Sequence, residues 1–122
     1  MKIKAISIVA PSGSKIASGE KTLEVRKWVP DLTPHEDILI VENKFFLGDM
    51  ISVDPDGYAL AVVKIVHVRP FTLDDLAAAC ASSFEDGWFA WELSDVRPLA
   101  NPISALAARK IYELDIGNLV FG

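Results

Sequence analysis

The chain has 122 residues, of which 51% are apolar and 24% charged, and its net charge is −5. This length and composition suit one domain with a core of its own, and exclude intrinsic disorder or dependence on metal or disulfide staples. The single cysteine, Cys80, excludes an internal disulfide and a cysteine-based metal cluster, and no apolar run approaches the roughly 18 residues that span a bilayer.

The start, Met1-Lys2-Ile3-Lys4, is basic, but Pro11 and Lys15 interrupt any signal-peptide core. The expectation is a cytoplasmic protein with no membrane partner. The acid excess argues against broad electrostatic binding of nucleic acid. Its distribution is uneven, because residues 1–30 hold six Lys and Arg against two Glu, while the remainder holds six cations against fifteen acids. The basic end reads either as a place for a polyanion on an otherwise acidic molecule or as uneven surface charge with no partner.

In chain order, Lys4 to Val9 reads as a short strand that Pro11-Ser12-Gly13 ends. Ser14 to Ser18 makes one or two helical turns, closed by Gly19 at the position of a helix C-cap. In Gly19-Glu20-Lys21-Thr22-Leu23-Glu24-Val25-Arg26-Lys27-Trp28, Leu23 and Val25 alternate with polar neighbours in the period of two of a half-buried strand. With Leu23 and Val25 on the core side, Thr22, Glu24, Arg26 and Trp28 line the other face, about 6.8 Å apart at each step. Lys21 falls on the other phase and joins this row only from the preceding turn. Pro30, Thr33 and Pro34 mark an irregular loop.

Ile38-Leu39-Ile40-Val41 is a continuous apolar run, which suits a central strand covered on both sides. Residues 43–57 read as a long connection with a turn at Asp54-Pro55-Asp56-Gly57; a loop this long lines a site or moves. Phe45 and Phe46 within it need cover. Tyr58 to Arg69 is the longest expected strand. Thr72 starts a helix with Asp74 and Asp75 in its first turn and an apolar stripe of Leu73, Leu76, Ala77 and Cys80, where the thiol packs among alanines. Trp88 to Leu93 is an aromatic strand, its rings assigned to the core, and Arg97-Pro98 and Asn101-Pro102 punctuate the next segment. A last strand covers Lys110 to Asp115. This order of several strands and two short helices predicts a small, mainly β barrel or α+β domain.

Metal and cofactor chemistry find no frame. His35 and His67 lack ligand spacing, so no metal and no cofactor is expected. Pro11-Ser12-Gly13-Ser14-Lys15 lacks a phosphate-loop pattern, though the backbone at the start of the short helix could hold an anion. No Ser sits in a nucleophile elbow. Glu24 and Arg26 read equally as a surface ion pair or as part of a site, with Lys21 and Glu24 as a possible acid–base pair. Trp28, after Arg26 and Lys27, reads either as packing in the core or its loop or as an indole beside cations suited to stacking a base. Exposed apolar area at Phe45, Phe46 and Phe121 would instead mark a protein-interaction module.

Gly19-x-Lys21-x-x-Glu24-x-Arg26-x-Trp28 resembles the signature of the ASCH domain (activating signal cointegrator-1 homology) of the PUA-like superfamily. The resemblance runs on through Ile38 to Val41, Gly57-Tyr58-Ala59-Leu60, Phe89 to Leu93 with Pro98 and Pro102, and Lys110 to Leu114. It implies a single domain over 1–122, a small PUA-like β-barrel with two or three short helices, and a cleft lined by the GxKxxExR strand. That cleft is expected to bind RNA, a nucleotide or a modified nucleoside, through Lys21, Thr22, Glu24, Arg26 and Trp28. Some small bacterial members of the superfamily hydrolyse the amide of acetylcytidine, and the chain resembles them at Gly19, Lys21, Thr22 and Arg26. They use a threonine nucleophile where this chain has Glu24, and a glutamate that would fall near Phe84 or Glu85. If the chain is an enzyme, Lys21 and Glu24 are the catalytic candidates, and a ribonuclease is a further reading.

Overall fold

The computed structural model describes residues 1–122. Six strands and three short helical segments follow one another as β1 (Lys2–Val9), α1 (Ser12–Ser18), β2 (Leu23–Arg26), β3 (Asp37–Asn43), β4 (Val53–Pro70), a 3₁₀ turn (Leu73–Asp75), α2 (Leu76–Ala79), β5 (Phe89–Ala108) and β6 (Ile111–Asp115). They form one sheet in the order β2-β5-β4-β3-β1-β6, in which only the β1–β3 pair is parallel. The mainly β reading holds, but the closed barrel does not. The edge strands β2 and β6 pair with only one neighbour each and not with one another, which leaves the sheet open.

Residues 38–41 sit in the middle of this sheet and are essentially solvent-free. Alternation on β3 serves two cores. Leu39 and Val41 pack with Ile3, Ala5, Ala59 and Ala107, while Ile38 and Ile40 pack with Ile6, Ile8, Val63 and Trp91. The second cluster is closed by Ile16 of α1, whose C-terminus turns at Gly19 in the left-handed region (φ 85°). The start of α1 offers no anion site, because Glu42 already holds it. Ser14 donates to that carboxylate from its backbone N–H at 2.7 Å and from its hydroxyl at 3.0 Å. Gly13 lets Glu42 come close, since a Cβ there would stand 3.0 Å from Glu42 Cβ and Oε2 and the carboxylate would have to shift.

Three expected breaks are absorbed into long strands. Asp54 to Gly57 is a bulge inside β4 rather than a turn between elements: the pairing steps from Asp54 to Gly57, and Asp54 Oδ1 accepts the Asp56 N–H at 2.9 Å. Pro98 and Pro102 both lie inside β5, where the pairing with β4 skips from Pro98 to Ile103 and spares the missing N–H of Pro102. The bulged segment pairs instead with the C-terminal tail, as Ala100 N–H donates to Val120 O at 2.7 Å. The connection between β3 and β4 is correspondingly shorter than 43–57. Of its rings, Phe45 and Phe46 remain exposed, and Leu47 is the side chain that packs down.

The helix expected from Thr72 forms only as a 3₁₀ turn and one α turn. Its stripe is not buried as expected: Leu73 and Cys80 are exposed, and Ala79 and Asp75 are buried instead. Cys80 ends the helix in the left-handed region (φ 52°), so its thiol turns away from the core. The organising contact is polar. Arg69 on β4 forks onto Asp75 at 2.7 and 2.9 Å and reaches Glu92 on β5 at 2.7 Å, while Thr72 N–H donates to Asp75 at 2.8 Å. The Arg69 guanidinium, followed by the Thr72 donors, holds the Asp75 carboxyl well below the usual carboxylate range. A lowered folded-state pKa stabilises at pH values above the unfolded value of about 4, and that stability is lost as the pH falls below it. Urea unfolding measured from about pH 5 down to about pH 2 should therefore show falling stability, and Asp75→Asn should flatten part of that fall.

Candidate functional site

The strand that carries the signature is built as its periodicity requires. Leu23 and Val25 turn toward Phe71, Ala79 and Ala90, while Glu24 and Arg26 lie opposite Trp91 and Phe89 on the other face. Gly19 redirects the chain after α1, and Lys21 approaches Glu24 from the turn. Its buried ammonium (6% exposed residue) donates to Ala79 O at 2.6 Å and stands 3.4 Å from Glu24 Oε1.

Glu24 is the hub. Its Oε1 faces Lys21 and accepts the Val25 N–H at 3.2 Å; its Oε2 accepts Arg26 Nε at 3.2 Å and Nη2 at 2.8 Å. Three hydrogen bonds and the ion pair with Lys21 engage both carboxylate oxygens, so Glu24 holds its neighbours in place. Arg26 spans the open side of the sheet, donating from Nη2 to Ser7 O at 3.0 Å, just past the end of the β1–β6 ladder at Ile6 and Ile111. The bonds of Arg26 run through Nε and Nη2 and leave Nη1 without a protein partner.

Ser7 also fixes the β5–β6 corner. Its hydroxyl accepts the Ala108 N–H at 3.0 Å and donates to Tyr112 Oη at 2.8 Å, because the Tyr112 proton goes to Leu106 O at 2.8 Å. Burial pushes the Tyr112 phenol pKa upward, against the opposing effect of the Ser7 bond. Arg109 and Lys110 lie on this corner, Lys110 with φ 58°.

Between β2, the end of β1, the start of the β3–β4 loop and the corner lies a cavity of about 500 Å³, within the usual size of a small-molecule pocket. Its walls include Glu24, Arg26, Lys27, Arg109 and Lys110, four cations to one acid in a chain of net charge −5. Three aromatic rings, Trp28, Trp88 and Phe46, share the lining. Trp28 stands edge-on to Trp91, with centroids 4.9 Å apart, and Lys110 lies 5.9 Å from its ring; Lys27 lies 5.6 Å from Trp88. Phe46 is 84% exposed at the mouth.

Of the residues read from the sequence, Glu24, Arg26 and Trp28 line the cavity together. Lys21 lies behind Glu24 and does not line it. Thr22 is exposed and outside it, its backbone engaged with Ala78 and Leu93. Glu85 is exposed and lies outside the lining, and the β3–β4 connection contributes Asn43, Phe46 and Leu47. Sequence reading missed Ser7, Asn43, Trp88, Arg109 and Lys110. The adjacent cations 109–110 before the last strand were the one available signal.

Both histidines are exposed, and no helix is long and apolar enough to cross a membrane. The ASCH domain family model matches residues 6–103. A comparison with curated proteins gives no match. Among solved structures, the ASCH protein of Zymomonas mobilis is similar at 19% identity and a TM-score of 0.63, covering 83% of this chain and 72% of that one. A point variant of the Zymomonas mobilis protein is similar at 20% identity and a TM-score of 0.56, covering 85% and 76%. At these identities the structures speak to the fold, and the family match over most of the sequence speaks to descent. The chain belongs to the ASCH domain family.

Proposed function

We propose that the chain binds RNA or a nucleotide, with one base inserted in the cavity beside β2 and its phosphate on the cationic rim. The reading rests on one observation: four cations and three aromatic rings converge on a single cavity of an otherwise acidic molecule. Arg26, with Nη1 free, is the donor for phosphate or a base edge, and Trp28, Trp88 and Phe46 are the stacking surfaces. Glu24 and Lys21 act behind them, holding Arg26 in place. A modified nucleoside fits the same description, since the pocket recognises a flat polar ring and an anion.

Hydrolysis of such a ligand draws less support from the geometry. Glu24 already accepts three hydrogen bonds and pairs with Lys21, Lys21 does not line the cavity, and Thr22 lies outside it. A nucleophile or base needs reach to the reacting atom, which Lys21 and Thr22 lack, while Glu24 on the cavity wall is engaged by Arg26, Lys21 and the Val25 N–H.

Titrating single-stranded RNA and nucleoside monophosphates onto the native protein and Phe46→Ala tests the binding reading. Phe46 is exposed, so its loss should leave stability within about 0.5 kcal/mol. Affinity should drop about tenfold, the effect of losing one stacked base at about 1–3 kcal/mol. Equal affinity for both proteins would remove Phe46 from the site, and no binding by the native protein would overturn the reading.

A further inference from the structure

Asn43, the last residue of β3, is 3% exposed yet lines the cavity. Its amide orientation is fixed by chemistry. Asn43 Nδ2 lies 2.6 Å from the carbonyl oxygen of Phe45, which only accepts, so the nitrogen must face it and Oδ1 must face away. Its backbone carbonyl is separately engaged by the Ala10 N–H at 2.8 Å. No protein group donates to Oδ1, and since no fully buried side-chain oxygen or nitrogen lacks a partner, Oδ1 retains some accessible surface. A buried side chain with an unused acceptor at the wall of a ligand-sized cavity is an unfilled recognition element. The other polar groups on that wall with free capacity are donors: Arg26 Nη1, Lys27, Arg109 and Lys110. Glu24 on the same wall already accepts three hydrogen bonds and pairs with Lys21, and Ser7 Oγ is occupied. Asn43 Oδ1 is thus a side-chain acceptor on that wall with no donor of its own, placed to meet an N–H on the ligand.

We infer that Asn43 determines specificity by accepting a hydrogen bond from an N–H on the edge of the inserted base, so that the ligand is an unpaired nucleotide with that N–H free. The inference rests on the nucleotide-binding reading proposed for the same cavity. In a duplex the Watson–Crick N–H groups are already used, and the base cannot leave the stack to enter the cavity without loss of pairing. Single strands and mononucleotides are the class that fits, and a base whose N–H is blocked by methylation is the class rejected. Rejection is strong because a base without the N–H leaves the Asn43 oxygen desolvated and unpartnered.

The test compares the best-bound of the four nucleoside monophosphates with its counterpart methylated at the base N–H, such as cytidine monophosphate with its N4,N4-dimethyl form. Calorimetry on the native protein should show about 10- to 100-fold weaker binding of the methylated ligand. In Asn43→Ala, with its fold checked by thermal unfolding, the two ligands should bind within about threefold of each other, because the acceptor is gone. Equal binding of both ligands by the native protein overturns the inference while leaving nucleotide binding intact. So does an undiminished discrimination in folded Asn43→Ala. If no nucleotide binds, the nucleotide reading fails and this inference with it. The native-protein comparison stands alone should the variant not fold.

Discussion

Glu24→Ala is expected to destabilise the domain by about 3–5 kcal/mol, the cost of removing one partner from a buried ion pair. The size reflects the two cations left behind. Lys21 would stay buried with only the Ala79 carbonyl, and Arg26 would lose both bonds that hold its guanidinium in plane. Lys21→Met should cost less, about 1–2 kcal/mol, because Glu24 would keep Arg26 and the Val25 N–H while Met fills the space of the lysine stem. Urea unfolding of the two variants checks the ordering. A larger loss for Lys21→Met than for Glu24→Ala would show that the carboxylate is not the hub.

Arg26→Ala is expected to weaken nucleotide binding roughly 100-fold, about 2–3 kcal/mol, since it removes the donor that faces the cavity from a hydrogen-bonded charge pair. Arg26→Lys separates charge from shape. An ammonium keeps the charge but cannot reach Glu24 through two nitrogens while also bridging to Ser7 O, so about tenfold of the loss should persist. Calorimetric titration with the best-bound nucleoside monophosphate provides the measurement. Full affinity in Arg26→Lys would reduce Arg26 to a diffuse positive charge.

The features legible in the sequence were local. The alternation over 22–26 put Glu24 and Arg26 on one face. The offset of Lys21 required it to arrive from the turn, where the structure places it beside Glu24. The apolar run 38–41 marked the central strand because burial on both faces leaves no polar alternation to see. Gly19 marked a helix end because only a residue tolerant of positive φ closes it cheaply.

The features that escaped it were long-range. The apolar spacing after Thr72 was real, but Asp75 is drawn inward by Arg69, six residues earlier on β4, and this reorients the turn. Pro98 and Pro102 read as breaks because nothing local reveals that the C-terminal tail will pair with the residues between them. Barrel closure depends on whether the edge strands β2 and β6 meet, a contact between segments about 85 residues apart that local periodicity does not report. The cavity wall was hidden for the same reason: Ser7, Asn43, Trp88 and Lys110 are far apart in the chain and adjacent only after folding.

The central claim is that the cavity beside β2 receives a base. The three indole N–H signals of the ¹⁵N-labelled protein test it most directly, during titration with a short single-stranded RNA. Trp91 Nε1 donates to Trp28 O at 3.3 Å and lies in the core, while Trp28 and Trp88 line the cavity. The expected result is that the Trp28 and Trp88 indole signals and the Arg26 Nε–H signal shift on titration while the Trp91 signal moves least. Shifts confined to residues away from β2 and the 108–110 corner, with these signals unmoved, would contradict it.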